Sequence, residues 1–156
     1  MSQSLRCLLV LWFVFVGSVV AQFDPSAGLV PLKYEDIFEA NKAMTRAQFA
    51  SYVKELEGKE MEDRGRVGDV DENLGRRGGN SQAGVYRAYL FVKKNPPIRR
   101  SQMPGTAEVV LEVPQSAALR LNLDQFVRFR GTIASVHCRQ SFCQVGLRNG
   151  TILATE

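Results

Sequence analysis

The sequence predicts a mainly β protein with an N-terminal helix, in which five antiparallel strands close into a small barrel. Five runs rich in β-branched and aromatic residues follow one another, with turn residues between them. The strong helix signal precedes the first strand, so the pattern lacks the alternation of strands and long helices that a parallel sheet needs. The motif RGRVGDV (64–70) also recurs as RGTIASV (130–136), and each copy carries a glycine inside a strand.

The first 33 residues are expected to lie outside this domain. One arginine precedes an apolar run at residues 7–20, and small residues end at Ala21, which is the pattern of a secretory signal peptide (1–21). The run is shorter than the ~20 residues that a membrane span needs, although an uncleaved signal anchor is the alternative. A flexible leader (22–33) follows. We therefore expect a secreted or periplasmic protein, cleaved near Ala21, with no stable membrane span.

A helical segment is predicted over residues 34–57 and is expected to pack on the barrel. Thr45 and Gln48 have the spacing of a capping box, which marks a helix start. From Phe49 onward, apolar residues recur at the i, i+3, i+4 and i+7 spacing of one helix face. Gly58 ends the segment.

The barrel region (58–156) is predicted to contain the five strands. They are expected at residues 59–71, 85–94, 106–114, 124–138 and 142–155, with loops at 72–84 and 95–105 and a short helix within 115–123. Asn149-Gly150 predicts either a bulge in the last strand or a further tight hairpin.

The repeated motif indicates how such a barrel closes. In a five-stranded barrel the longest strands must coil sharply and pair with neighbours on both sides, and a glycine permits the bend and a close backbone approach. Gly65 and Gly131 occupy matching places in the first and fourth strands. These are the strands that bend in the oligonucleotide/oligosaccharide-binding (OB) fold, so the repeat favours a five-stranded antiparallel OB-fold barrel.

A helix start of the form aromatic-x-x-Asn (Phe38, Asn41), an alanine-rich helix, Gly58-Lys59 and the strand motif Gly-x-Val-x-x-Val occur in this order. This pattern resembles the tRNA_anti-like OB-fold family, and VRFRGTIASV resembles that family's fourth strand. The resemblance covers roughly residues 36–153. It implies an OB fold in an exported protein, and no catalytic residues carry over from it. The Gly/Arg-rich first loop and the cysteine pair depart from the family pattern.

Two cysteines remain after the expected signal peptide, Cys138 and Cys143. In an exported chain an even count at close spacing favours a disulfide, here across the turn between the last two strands. A metal site that includes His137 and a redox pair are the alternatives. The spacing differs from the CxxC of oxidoreductases.

Charge is distributed unevenly along the chain. Residues 22–75 carry 7 Lys/Arg against 12 Asp/Glu (−5), whereas residues 76–156 carry 12 against 4 (+8). The basic half is suited to an anionic partner, or it is a solvated surface that balances the acidic half.

Catalytic motifs are lacking in the sequence. The chain has one histidine, and it contains no Gly-x-Ser-x-Gly, no His-Glu-x-x-His and no Walker loop. We therefore expect a protein that is not an enzyme and needs no cofactor. An enzyme or redox protein that uses the two cysteines is the weakest alternative.

The candidate site is the OB ligand face, across the second and third strands and between the first long loop and the loop joining strands four and five. Cations and aromatic rings collect there, as in sites for single-stranded nucleic acid. The predicted ligand-binding residues are Arg76, Arg77, Tyr89, Phe91, Lys93, Arg99, Arg100 and Arg139. Alternation puts Tyr89 and Phe91 on one face of their strand, and one face must fill the barrel. Arg128 and Arg130 are expected on a solvated outer face.

These observations favour an exported, non-catalytic binding module whose basic groove takes an anionic ligand, with single-stranded nucleic acid or another polyanion as the expected partner. The alternative is an envelope protein that uses the same loops to bind another protein. Export favours that alternative, because little nucleic acid is found outside the cytoplasm.

Overall fold

The computed structural model describes residues 31–72, 84–93, 103–139 and 141–156. The expected signal peptide lies outside these residues, as does most of the expected leader. The elements are helices α1 (Tyr34–Ala43), α2 (Arg46–Leu56), α3 (Met103–Thr106) and α4 (Gln115–Ala118), and strands β1 (Glu60–Glu72), β2 (Val85–Phe91), β3 (Val109–Pro114), β4 (Phe126–Arg139) and β5 (Phe142–Thr155). No helix in the described ranges has the length and apolar character needed to cross a bilayer.

The five strands form a closed barrel in the order β1-β2-β3-β5-β4, and β4 pairs with β1. Four of the pairings are antiparallel, while the short β3–β5 pairing is parallel. This strand order is that of an OB-fold barrel, and the helices near the N-terminus match the predicted helical segment, so the predicted fold class is confirmed. The parallel pairing was not predicted. The alternation of apolar and polar residues along a strand does not indicate the direction of that strand relative to a distant partner.

Strand β1 closes the barrel because it serves two neighbours. Its first half, Glu60–Arg66, pairs with β4, and its second half, Arg66–Glu72, pairs with β2. Val67 lies opposite Leu90, but the next paired residue of β1 is Asp69, so Gly68 is left as a one-residue bulge. A bulge increases the local twist and bends the strand.

Each copy of the repeated sequence motif contains a bulge in the structure. In an unbulged strand, inward-facing residues are two apart, but Val67 and Val70 are three apart and both pack on the core. The extra residue of the bulge makes this spacing compatible with one buried face. In β4, Ile133 and Val136 are also three apart and buried, and the pairing with β5 skips Ala134.

The motif glycines themselves face the interior, where strands come close together. A β-carbon on Gly131 would lie 3.0 Å from both Leu111 Cδ1 and Leu147 Cβ, and one on Gly65 would lie 3.3 Å from Leu90 Cβ. The bends occur three residues further along each strand, at the bulges. The glycines therefore permit a close approach, and the bulges supply the curvature.

Asn149-Gly150 forms a bulge within β5 and not a second hairpin. Arg130 pairs with Thr151 and Thr132 pairs with Arg148, so Asn149 and Gly150 together oppose one residue of β4. Asn149 adopts the left-handed region with φ of 53°, which asparagine tolerates better than most residues. A β-carbon on Gly150 would overlap the carbonyl oxygen of Glu112.

The helical segment is two helices, and the predicted capping box starts the second. The Thr45 hydroxyl accepts a hydrogen bond from the Gln48 amide (3.4 Å), and the Gln48 side chain accepts one from the Thr45 amide (2.9 Å). Tyr34 and Ile37 of α1 and Leu56 of α2 are buried in the main core, together with aliphatic side chains from all five strands. The helices therefore contribute to the barrel's core.

Two predicted strand ends differ from the structure by three residues. Strand β3 begins at Val109 instead of residue 106, because Met103–Thr106 form α3. Strand β2 ends at Phe91, and the helix expected within 115–123 is the single turn Gln115–Ala118.

The cysteine pair lies where the sequence suggested: Cys138 and Cys143 face each other in the β4–β5 hairpin, with Cα atoms 4.0 Å apart, and are joined by a disulfide.

Substituting the interior glycines by alanine should destabilise the barrel, and the loss should be larger where the added β-carbon comes closer to neighbouring atoms. Gly150→Ala is expected to lower the free energy of unfolding by about 3 kcal/mol, because backbone and side chain must both move, and Gly131→Ala by about 1–3 kcal/mol. Urea unfolding measures both. Gly105→Ala is the control, since Gly105 is exposed and its β-carbon would meet nothing within 4 Å. Equal losses at Gly150 and Gly105 would contradict the assignment of Gly150 to a crowded bulge.

Candidate functional site

Tyr89 and Phe91 point to the outer face of β2, as predicted, but they are not at the surface. Their neighbours Ala88 and Leu90 face the barrel core. The two rings are only 5% and 2% exposed and pack with Ala107 in a separate apolar cluster on the outer face. In this structure the ring faces are therefore covered, and stacking of a base on them would require this cluster to open.

The described part of the outer face over β1 and β2 carries paired charges. The Tyr89 hydroxyl donates to Asp71 Oδ2 at 3.1 Å, and Asp71 lies opposite Arg87 in the strand register. Burial raises the pKa of Asp71, although the hydrogen bond from Tyr89 opposes that shift. Burial, and then the Asp71 carboxylate, raise the pKa of Tyr89. This part of the face does not present charges of a single sign.

Lys93, just beyond the end of β2, is engaged by helix α1. Its ammonium group pairs with the Glu35 carboxylate and lies 4.2 Å from the centroid of the Phe38 ring. Lys42 also lies over the Phe38 ring, at 4.4 Å, and pairs with Glu39. A carboxylate of the chain therefore already occupies part of the position that a ligand's anionic group would take.

A buried carboxylate fixes the backbone at Lys93. Glu108 is 1% exposed, and its Oε2 accepts hydrogen bonds from the amides of Val92 (2.7 Å) and Lys93 (2.6 Å). Hydrogen bonds from amides to a charged acceptor are stronger than neutral ones. Glu108 thus holds the end of β2 where Lys93 projects. The sequence pattern placed this residue in an ordinary alternating strand and gave no sign of this role.

Arg139 is exposed at the end of β4, and α1 also holds this hairpin. The Asn41 amide donates to the Arg139 carbonyl oxygen at 3.1 Å, and the Tyr34 hydroxyl donates to the Cys143 carbonyl oxygen at 2.9 Å. Glu35 and Asn41 are six residues apart, which is about 9 Å along a helix axis. Lys93 and the backbone of Arg139 therefore both contact helix α1, and we call this region the hairpin end (α1, Lys93 and the β4–β5 hairpin).

The other four predicted ligand-binding residues lie outside the described residues. They are Arg76, Arg77, Arg99 and Arg100. Within the described ranges, no group of three or more His, Cys, Asp or Glu residues could hold a metal ion.

A second cationic area lies on the outer face of β1 and β4, where the sequence predicted only solvated side chains. We call it the arginine surface (Arg64, Arg66, Arg128 and Arg130). Glu62 of β1 accepts hydrogen bonds from Arg128 Nη2 (2.7 Å) and from Arg130 Nε and Nη2 (3.1 and 2.7 Å). The hydrogen bonds from Arg130 and then Arg128 hold the pKa of Glu62 below its usual value. Glu62 is separated in sequence from Arg128 by 66 positions and from Arg130 by 68. No local sequence pattern therefore indicates these contacts.

The arginine surface also carries an exposed aromatic ring. Arg64 lies directly opposite Arg128 in the register of β1 and β4. Its guanidinium stacks over the Phe126 ring at 4.9 Å and pairs with the Glu156 carboxylate. The Phe126 side chain remains 42% exposed.

Removing the Glu108 carboxylate should weaken the barrel. Glu108→Ala leaves the partly buried Val92 and Lys93 amides without their acceptor, and we expect a loss of about 1–3 kcal/mol in the free energy of unfolding. Glu108→Gln keeps one acceptor oxygen and should cost less. Urea unfolding measures both, with Glu55→Ala on the exposed side of α2 as control. A Glu108→Ala variant as stable as the control would contradict the structural role.

The contribution of Glu62 to stability should depend on pH. Because the pKa of Glu62 is lower in the folded protein than its usual 4.5, the ion pairs contribute fully above that value and are lost as the pH falls through the lowered pKa. The melting temperature of the wild type should therefore exceed that of Glu62→Gln at neutral pH, and the two should converge as the pH falls below about 4.5. A difference that is constant with pH would show that Glu62 does not titrate in this way.

No family model matches the chain, and no curated protein matches it. A solved structure that is similar to it is the crystal structure of a protein from Klebsiella pneumoniae subsp. pneumoniae MGH 78578, named there as a proposed nucleic acid-binding lipoprotein. The two chains are 14% identical, with a TM-score of 0.48, and the likeness covers 80% of this chain and 92% of that chain. The assignment of the present chain to the OB barrel rests on its own strand order and register.

Proposed function

We propose that this chain is an exported, non-catalytic OB-fold module that binds an anionic ligand, with single-stranded nucleic acid as the first candidate. Membership of the tRNA_anti-like family is part of this proposal. The observation that supports it most directly is the hairpin end, where helix α1 contacts both Lys93 and the backbone of Arg139 although 46 positions separate them in sequence. One exposed and one partly exposed cation beside a loop of an OB barrel suit the phosphates of a single strand.

Helix α1 supports the proposal by setting the position of this site. Tyr34 and Ile37 anchor the helix in the core, and Asn41 binds the hairpin. Glu35 faces Lys93 from the same helix. We infer that the Glu35 carboxylate competes with the ligand for Lys93, so that only an anion able to displace it binds there.

Export and the lack of catalysis belong to the same proposal. The signal-peptide pattern of residues 1–21 supports export, and a disulfide between Cys138 and Cys143 suits an oxidising compartment. A disulfide that clasps the hairpin also keeps the carbonyl groups that α1 binds in a fixed place. The proposed role of the two cysteines is therefore structural.

A second candidate function is the binding of another protein. Leu119 is 75% exposed, and Leu123 and Leu153 are also exposed. Leu119 and Leu123 fall within five residues of chain between α4 and β4, and a local group of exposed leucines favours an apolar contact more than scattered ones do. This candidate predicts binding that high salt does not weaken.

A salt titration with a fluorescent single-stranded oligonucleotide tests the proposed function. The observed affinity should fall steeply with salt, and Lys93→Gln/Arg139→Gln should reduce the slope of log K against log salt by about 1.4, which is 0.7 for each lost phosphate contact. Glu35→Gln should bind more tightly than the wild type, because it removes the competing carboxylate. Glu55→Gln removes one negative charge from α2 and serves as the control. If the wild type retains no oligonucleotide even at low salt, the anionic-ligand proposal fails.

A further inference from the structure

The arginine surface lies on a different part of the barrel from the hairpin end. Its residues project from the first half of β1 and the first half of β4, and they alternate with the inward-facing residues Gly65, Val127 and Phe129. We propose that this surface is a second binding site for a single strand of nucleic acid. The proposal rests on the proposed function for the class of ligand only, since it concerns different residues and a different face.

Glu62 acts in this site as an anchor for the guanidinium groups. The Glu62 side chain is only 14% exposed, whereas those of Arg128 and Arg130 are 55% and 47% exposed. Each guanidinium has five N–H donors, and Glu62 uses one atom of Arg128 and two of Arg130. The remaining donors are held in fixed directions at the surface. A phosphate can therefore be bound without the loss of side-chain freedom that flexible arginines would require.

The pairing of Arg64 with Arg128 across the strands favours a binding role. Like charges directly opposite each other on a sheet destabilise it, and here the carboxylates of Glu156 and Glu62 offset part of that repulsion. A phosphate between the two guanidinium groups would relieve the repulsion. The carboxylate of Glu156, which pairs with Arg64, must be displaced first, so removing it should strengthen binding.

The exposed ring of Phe126 favours a nucleic acid, which carries bases, as the ligand over a polyanion that lacks them. Its exposed ring lies beneath the Arg64 guanidinium, next to the row of phosphate-binding donors. Proteins that bind single strands combine a cationic track with rings or guanidinium planes on which bases stack. A polyanion without bases, such as inorganic polyphosphate, would use the arginines but gain nothing from the ring.

Oligonucleotide and polyphosphate binding, measured side by side by fluorescence anisotropy and competition, test this site. Arg128→Gln/Arg130→Gln should reduce oligonucleotide affinity about tenfold at low salt and lower the salt slope by about 1.4. Phe126→Ala should reduce oligonucleotide affinity about fivefold and leave polyphosphate affinity unchanged, and Glu156→Gln should increase both. Arg46→Gln/Lys54→Gln is the matched control, because it removes two exposed cations from α2. Arg64→Gln leaves the Glu62 contacts intact and covers the case in which the double variant is poorly folded, which circular dichroism would reveal.

Each outcome bears on the proposal. The second site is overturned if the variants Arg128→Gln/Arg130→Gln and Arg64→Gln bind the oligonucleotide as the control does. The hairpin end is tested separately, by the Lys93→Gln/Arg139→Gln variant. If the arginine variants weaken both ligands but Phe126→Ala weakens neither, the surface binds polyanions in general, and a nucleic-acid site is overturned. If Lys93→Gln/Arg139→Gln is without effect and the arginine variants are not, the second site is supported and the hairpin end is excluded.

Discussion

Closure of the barrel by β1 is the constraint on which the rest of the structure depends. One strand must pair with β4 over its first half and with β2 over its second, and it must do so while keeping a single face buried. The bulge at Gly68 makes this geometrically feasible, because the extra residue bends the strand and preserves the inward direction of Val67 and Val70. The matching bulge in β4 at Ala134 lets the opposite wall follow the same curvature.

Much of the fold could be predicted from the sequence, because each of its determinants is local. Alternation located the strands, Thr45 and Gln48 marked a helix start, and the matched glycines Gly65 and Gly131 indicated curvature, although the bulges lie three residues further along each strand. The candidate site was less accessible for a physical reason. Alternation assigns Tyr89 to a face of its strand, but whether that face is covered depends on segments distant in sequence. The Glu62 contacts likewise depend on a register that alternation does not fix.

Acidic side chains determine which cations are available to a ligand. The excess of negative charge in residues 22–75 and of positive charge in residues 76–156 is used internally. Glu35 engages Lys93, and Glu62 engages two arginines of β4. The two carboxylates differ in their surroundings. Glu35 is half exposed and holds one flexible ammonium group, whereas Glu62 is nearly covered and holds two planar groups in fixed directions. Glu35 limits the access of a ligand to Lys93, whereas Glu62 orients the guanidinium groups of Arg128 and Arg130 for contact with a ligand.

The hydrogen bond from Tyr34 to the Cys143 carbonyl joins residues that are 109 positions apart, and it has a consequence for the order of folding. Helix α1 completes the core only when the β4–β5 hairpin is in place, so the barrel cannot reach its final state until this hairpin has left the ribosome. Contacts of such long range slow folding, because the ends of a long segment must meet before any energy is gained. A chain with this delay therefore exposes its core residues for longer after synthesis than a chain whose stabilising contacts are local.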